Sequence, residues 1–299
     1  MPVCIFVLET GLRKINGRLF YVQKVREDTY VLEEVDEIVH SEESKYQKID
    51  VVREKHYGLC LFLDGSMQIT EGDEHIYHEA FVHPAMITHP NPEKVLIVGG
   101  GDGGVLREVL KHNTVKKAVL VEIDERVIEV VKKYMPSVPQ GSFSDPRAEI
   151  VIEDGFKYIE KPRNEFDIAY IDLTDSPDSP IYGEEFVKKL KNALREKSVV
   201  VFQTFGLVEH LGSQQKIVSE LKKYFKYVGI YGAFVPSFMD LWTFTYASDY
   251  FDLKNVEEDY VRKTLDERSV KTRFYSPETH RMLFINAEYS RVADRLKKL

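Results

Sequence analysis

Apolar and polar residues alternate with a period of two up to about residue 70, in stretches 18–22, 30–35, 49–52 and 59–63, with Gly and Asp turns between them. Successive side chains of a strand point to opposite faces, so this pattern predicts antiparallel strands with one covered face. From Asp73 the period changes, and 75–86 reads as a helix closed by Pro90 and Pro92. Beyond Glu93 strands and helices alternate: strands at 94–98, 117–122, 148–152, 166–172 and 198–204, and helices at 103–112, 124–134, 183–196 and 208–224, with a short one from Asp154. Such alternation predicts a mostly parallel, doubly wound sheet with helices on both faces. Two further strand-like runs, 227–235 and 241–247, are joined by a short linker holding Pro236 and predict an antiparallel hairpin at the sheet edge. The tail beyond Asp249 predicts one or two helices ending in a basic amphipathic stub. The expected organisation is a small N-terminal β domain over residues 1–72 and a larger α/β domain over 73–299.

Composition narrows the class of protein. In 299 residues, a 43% hydrophobic share beside 30% charged residues is the balance of a soluble globular chain, and no apolar run approaches the roughly 20 residues that cross a bilayer. The start, Met1 to Val7, lacks a basic leader, and the two cysteines, Cys4 and Cys60, form neither a metal-ligand spacing nor a disulfide framework. A reducing cytoplasm is the expected compartment, with no membrane partner. A net charge of −8 argues against nonspecific nucleic-acid binding and suits cationic substrates.

The chemistry lies at the ends of the predicted parallel strands. Residues 99–104 form a glycine-rich turn between strand and helix, with Gly99, Gly101 and Gly104 in the three positions of a dinucleotide fingerprint. By itself that is a weak signal. The following strand ends in Glu122, at the spacing where an acid binds the ribose hydroxyls of an adenosine, and Asp154-Gly155 closes the strand after it. Dinucleotide oxidoreductases, methyltransferases and aminopropyl transferases all meet these conditions. Asp102, inside the turn, separates them: it would repel a pyrophosphate and attract an ammonium or a sulfonium, and the acids Asp172 and Asp175 deepen the same field. Intact S-adenosylmethionine carries a carboxylate on its amino-acid tail, whereas the decarboxylated form ends in the bare ammonium that Asp102 would attract.

Over nearly its whole length the chain resembles the spermidine synthases of the polyamine aminopropyltransferase family. The matching stretches are 44–47, 63–68, 73–79, the 99–104 turn, 121–124, 172–175 and 275–281, in the family's order. The stretch 235–242 is similar to the thermospermine synthase branch. The resemblance implies a methyltransferase-like Rossmann fold and transfer of the aminopropyl group of decarboxylated S-adenosylmethionine to a primary amine, with putrescine the default acceptor and spermidine, agmatine and cadaverine the alternatives. It further implies Asp172 as proton acceptor and Gln47, Glu122, Asp154 and Gly155, with the turn glycines Gly99 and Gly101, along the methylthioadenosine moiety. Asp102 would hold the aminopropyl end, His78 would stand beside Tyr77 at the polyamine site, and Asp175 would orient the acceptor amine. Gln203, Tyr231 and Phe205 are candidates for the amine channel, Trp242 for hairpin packing beside it, and His280-Arg281 for docking of the tail. No cofactor and no metal is expected, and a homodimer or homotetramer is. The chain departs from the family after Asp175, where it runs Ser176-Pro177-Asp178-Ser179-Pro180. That predicts a shortened loop over the site with an extra acid, Asp178, and leaves Pro180 as the proline that would touch the nucleoside. Two readings from other classes stay open: a small-molecule methyltransferase and a noncatalytic polyamine sensor.

Overall fold

A computed structural model describes residues 10–26, 29–173 and 179–287. Asp175, Asp178 and the basic terminal stub lie outside the described residues.

Six antiparallel strands form the first sheet in chain order: β1 (Gly11–Ile15), β2 (Arg18–Arg26), β3 (Thr29–Glu43), β4 (Lys48–Glu54), β5 (Gly58–Leu63) and β6 (Ser66–Thr70). The short strands β1 and β6 lack a long alternating run, and the periodicity does not show them. Helix α1 (Glu74–Thr88) follows. It is buried on nearly every side, which is why its hydrophobic pattern is all-round rather than amphipathic.

The second sheet is built from β7 (Lys94–Gly99), β8 (Lys117–Glu122), β9 (Ala148–Ile152), β10 (Phe166–Asp172), β11 (Leu194–Gly206), β12 (Tyr227–Val235) and β13 (Asp240–Ser248), in the order β12-β13-β11-β10-β7-β8-β9. Strands β7 to β11 pair in parallel, while β12 and β13 close the edge as the predicted antiparallel hairpin. The central strands are near-continuous apolar runs because both faces are covered. Helices α2 (Gly104–Leu110), α3 (Glu125–Tyr134), α4 (Gly155–Tyr158), α5 (Glu184–Ala193) and α6 (Leu207–Leu221) interleave with them, and α7 (Glu258–Glu267) and α8 (Pro277–Ala287) end the described chain. Helix α5 stops three residues before the predicted end, and β11 begins at Leu194, which pairs with Phe166 of β10. The charged opening of β11, Arg195-Glu196-Lys197, has helical propensity, but sheet pairing and the Arg195–Asp167 ion pair at 2.8 Å hold it extended.

One face of this sheet packs on α1, α2, α7 and α8, the other on α5 and α6. Buried tyrosines pin α1 to the sheet: Tyr170 donates to the Val82 carbonyl at 2.6 Å and Tyr231 to that of Phe81 at 2.9 Å. The amphipathic face of α3 (Val127, Val130, Val131) joins Ile49, Val51, Leu61 and Ile69 of the first sheet in a separate core. Each such apolar side chain contributes on the order of 1.5–3 kcal/mol when fully buried, so the two sheets are welded through α3. No helix among the described residues is long and apolar enough to cross a membrane.

Candidate active site

The order of the parallel strands reverses between β7 and β10: β8 and β9 succeed β7 on one side, β10 and β11 lie on the other. Ligands of open α/β sheets bind beyond the carboxyl ends of strands at such a switch point. Here those ends are Gly99 and Asp172, paired in register, with the Gly100 amide donating to the Asp172 carbonyl at 3.2 Å. Gly99 has φ +84°, and a Cβ on it would stand 2.0 Å from the Asp172 carbonyl oxygen, so only glycine lets the turn close on β10.

A cavity of about 400 Å³ opens over this point. The α/β part supplies Gly99 to Asp102, Glu122, Ile123, Asp172, Gln203 and Trp242, while Tyr77 comes from α1. The first sheet supplies Gln47 and the β5–β6 hairpin, including Leu63, Met67 and Gln68. Gln47 is oriented by its amide, which donates to Asp124 at 3.0 Å; Ser44 donates to the same oxygen at 2.7 Å. Asp124 caps α3 through the Arg126 amide and itself donates its amide to Glu122 at 2.9 Å. Glu122 is thereby aimed at the cavity. Burial raises its carboxyl above the ordinary range, and the nearby charges of Asp124 and Asp102 add to the effect. On the opposite wall Tyr77 donates its hydroxyl to Asp172 at 2.5 Å, and Gln203 donates to the Leu173 carbonyl at 2.8 Å while accepting from the Trp242 indole at 3.2 Å.

Asp102 sits at the front of a buried ionic chain. It accepts the Gly104 amide at 2.6 Å and lies 3.3 Å from His78 Nε2. His78 Nδ1 meets Glu74 at 2.6 Å, and Glu74 is held by both terminal nitrogens of Arg107 at 2.8 and 3.0 Å. Burial alone would lower the His78 imidazole, but Asp102 and Glu74 outweigh it and raise it to about 10. Burial likewise opposes ionisation of Asp102, yet the imidazolium and the Gly104 amide hold its carboxyl below the usual range. The cavity therefore presents a fixed carboxylate backed by a buried cation.

Of the residues singled out in the sequence, the cavity brings together Gln47, Tyr77, Gly99, Gly101, Asp102, Glu122, Asp172 and Gln203. His78 is placed behind Asp102, fully buried, rather than at the cavity surface. Asp154 caps α4 through the Phe156 amide at 2.8 Å, Gly155 packs against Val98, and Pro180 is an exposed residue opening a short 3-10 turn; these three are not on the cavity wall. Tyr231 requires a correction: it is fully buried among Phe244, Tyr246 and Phe284 with its hydroxyl committed to Phe81, so it belongs to the core and not to an amine channel. Phe205 is also buried, against Tyr182. The sequence reading assigned no role to Leu61, Met67, Gln68, Ile123, Val127 or Phe238, which line the cavity. The stretch 63–68 was a visible motif, but as a hairpin its alternate residues reveal their facing only once packed.

A Rossmann-like sheet with a glycine turn at its switch point, an acid ending the next strand and a carboxylate–tyrosine pair across the cavity is the architecture of the methyltransferase-like fold. Comparison with known proteins makes the class specific. Residues 74–258 match the spermine/spermidine synthase domain, and 27–71 match the spermidine synthase tetramerisation domain. The chain is 44% identical over 254 residues to polyamine aminopropyltransferase 1 of Hyperthermus butylicus, covering 82% of this chain and 87% of that one. It is 40% identical to the polyamine aminopropyltransferase of Korarchaeum cryptofilum, over 95% and 89% of the two chains. Among solved structures it resembles a spermidine synthase in complex with the transition-state analogue AdoDATO, with TM-score 0.86 and 35% identity over 97% and 99% of the chains. The spermidine synthase from Thermotoga maritima is similar at TM-score 0.82 and 33% identity, over 95% and 97%. The chain belongs to the spermine/spermidine synthase family and is an aminopropyltransferase of polyamine biosynthesis; the tetramerisation-domain match supports a homo-oligomer.

Proposed function

We propose that the enzyme transfers the aminopropyl group of decarboxylated S-adenosylmethionine to a primary amine of a diamine, with putrescine giving spermidine, and releases 5′-methylthioadenosine. The observation that carries this reading is the placement of Asp172, hydrogen-bonded to Tyr77, on the same cavity as Asp102 and Glu122. Glu122 would take the ribose hydroxyls beside Gln47 and the turn glycines. Asp102 would take the ammonium that ends the aminopropyl arm, and its backing by His78 keeps it ionised to receive that charge.

An alkylammonium with pKa near 10.4 is protonated at neutral pH and cannot attack. Asp172, oriented by the Tyr77 hydroxyl, removes the proton as the amine enters. The neutral nitrogen then attacks the methylene carbon next to the sulfonium. A C–N bond forms, the C–S bond breaks with its electron pair going to sulfur, and a neutral thioether leaves. Loss of the sulfonium charge makes the leaving group good, so positioning and exclusion of water are the protein's main contributions.

The test is turnover of decarboxylated S-adenosylmethionine with putrescine, followed by mass spectrometry of spermidine and methylthioadenosine, in wild type and Asp172→Asn. Wild type produces both in equal amounts, and the variant falls about 10²–10⁴-fold in kcat. Methyl transfer from intact S-adenosylmethionine without aminopropyl transfer would overturn the reading.

A further inference from the structure

Asp73 stands at the start of α1, in the place where an aspartate ordinarily caps a helix by accepting from amides of its first turn. Here its side chain makes no such bond. The carboxyl is 5% exposed and is turned instead to the tip of the β12–β13 hairpin, 164 residues further along the chain. One oxygen accepts the Ser237 amide at 2.8 Å; the other accepts the Ser237 hydroxyl at 2.9 Å and the Thr70 hydroxyl at 2.7 Å. Thr70 ends β6, so this one buried carboxyl ties together the first sheet, the head of α1 and the edge hairpin of the second sheet. A cap is worth about 1 kcal/mol, and at Asp73 that local gain is forgone for a long-range contact.

What Asp73 holds is a bend under strain. Ser237 lies in the 3-10 turn Pro236–Phe238, and Met239 after it is left-handed at φ +53°, a conformation in which a residue other than glycine persists only where its surroundings fix it. Phe238 and Trp242 flank the bend and line the catalytic cavity. Their ring centroids are 4.8 Å apart, Phe238 meets the Tyr77 ring edge-on at 6.0 Å, and the Trp242 indole donates to Gln203 at 3.2 Å. Tyr77 in turn donates to Asp172. By these contacts the two rings belong to the wall around Asp172, opposite Glu122 and Gln47.

We propose that Asp73 is a positioning residue for the acceptor amine: through Ser237 it fixes the hairpin tip, and so holds Phe238 and Trp242 in place as the apolar wall beside Asp172. This rests on the aminopropyl-transfer reading above. Rings set firmly against a methylene chain restrict how its nitrogen approaches Asp172 and the donor carbon, and a small displacement of such a wall is enough to spoil that alignment. A released tip loosens this half of the cavity and leaves the nucleoside half, built on Glu122, Gln47 and the glycine turn, as it was.

The experiment measures methylthioadenosine release from decarboxylated S-adenosylmethionine and putrescine by wild type, Asp73→Asn and Ser237→Ala. Calorimetric binding of methylthioadenosine and the emission of Trp242, the chain's one tryptophan, are followed alongside. In Asp73→Asn the KM for putrescine rises about tenfold, the size of one lost hydrogen bond to a charged group, and in Ser237→Ala about threefold. The KM for decarboxylated S-adenosylmethionine and the affinity for methylthioadenosine stay within about twofold of wild type. Trp242 emission moves to longer wavelength in folded Asp73→Asn as water reaches the indole. An unmoved putrescine KM in both variants overturns the proposal, as does a KM for the nucleoside substrate that rises in step with it, the mark of a general loss of structure. Where Asp73→Asn does not fold, Ser237→Ala decides by the same pair of KM values. No release by wild type with putrescine overturns aminopropyl transfer itself and this inference with it.

Discussion

Asp102 and Glu122 were legible because their chemistry is local: one interrupts a glycine turn, the other ends the next strand, and both positions follow from chain spacing alone. The ionic chain behind Asp102 was not, since Glu74, His78, Arg107 and Asp102 come from α1, α2 and the turn between β7 and α2, and only packing unites them. Glu74 faces both His78 and Arg107, and Arg107 also meets Glu108 at 2.7 Å. Removing one charge of a buried pair costs about 3–5 kcal/mol, so Glu74→Gln should be less stable by that order in urea denaturation. The pH dependence adds a second readout. His78 is held above its unfolded value, so the stability from its imidazolium is fully present below about pH 6.5 and is lost as pH rises through about 10. Glu74 and Asp102 are held below theirs, so their contribution is present above about pH 4 and is lost as pH falls. In Glu74→Gln the alkaline loss should begin at lower pH; an unchanged alkaline limb would show that Glu74 does not sustain the His78 charge. Tyr231 marks the opposite limit: both faces of β12 near it are covered, so alternation could not tell a core tyrosine from one on the cavity.

At the scale of elements, strands and helices beyond Glu93 were readable because runs such as 95–98 and 168–171 are long, apolar and well punctuated. Ends were less so: the β10–β11 pairing decided where α5 stops. The packing of α1 against α2 depends on Gly104, where a Cβ would lie 2.2 Å from the His78 ring. Gly104→Ala must therefore push α1 and α2 apart or turn His78 away from Asp102. The expected outcome is a loss of about 1–3 kcal/mol in stability, together with a raised KM for decarboxylated S-adenosylmethionine in steady-state kinetics. Wild-type stability and kinetics in this variant would mean that the helix contact is not what positions Asp102.

For the whole molecule, α3 joins the two sheets and leaves the outer part of β3 uncovered, with Leu32 at 40% and Ile38 at 45% exposure. Both lie within the stretch matching the tetramerisation domain. The double variant Leu32→Lys, Ile38→Lys is expected to lower the assembly's mass in sedimentation and to make its melting temperature depend more steeply on concentration, because association stabilises by mass action. An unchanged mass would place the oligomer contact elsewhere on the sheet. By itself, the amino-acid sequence determined the order of elements beyond Glu93, the α/β class, the glycine turn and its acids, and the family motifs, since each is written in short-range spacing and periodicity. Only the tertiary structure decided that the β5–β6 hairpin walls the cavity, that His78 stands behind Asp102 and Tyr231 in the core, and that Asp73 reaches across to Ser237 instead of capping α1. Those are meetings between segments far apart along the chain, and their geometry is set by which faces pack together.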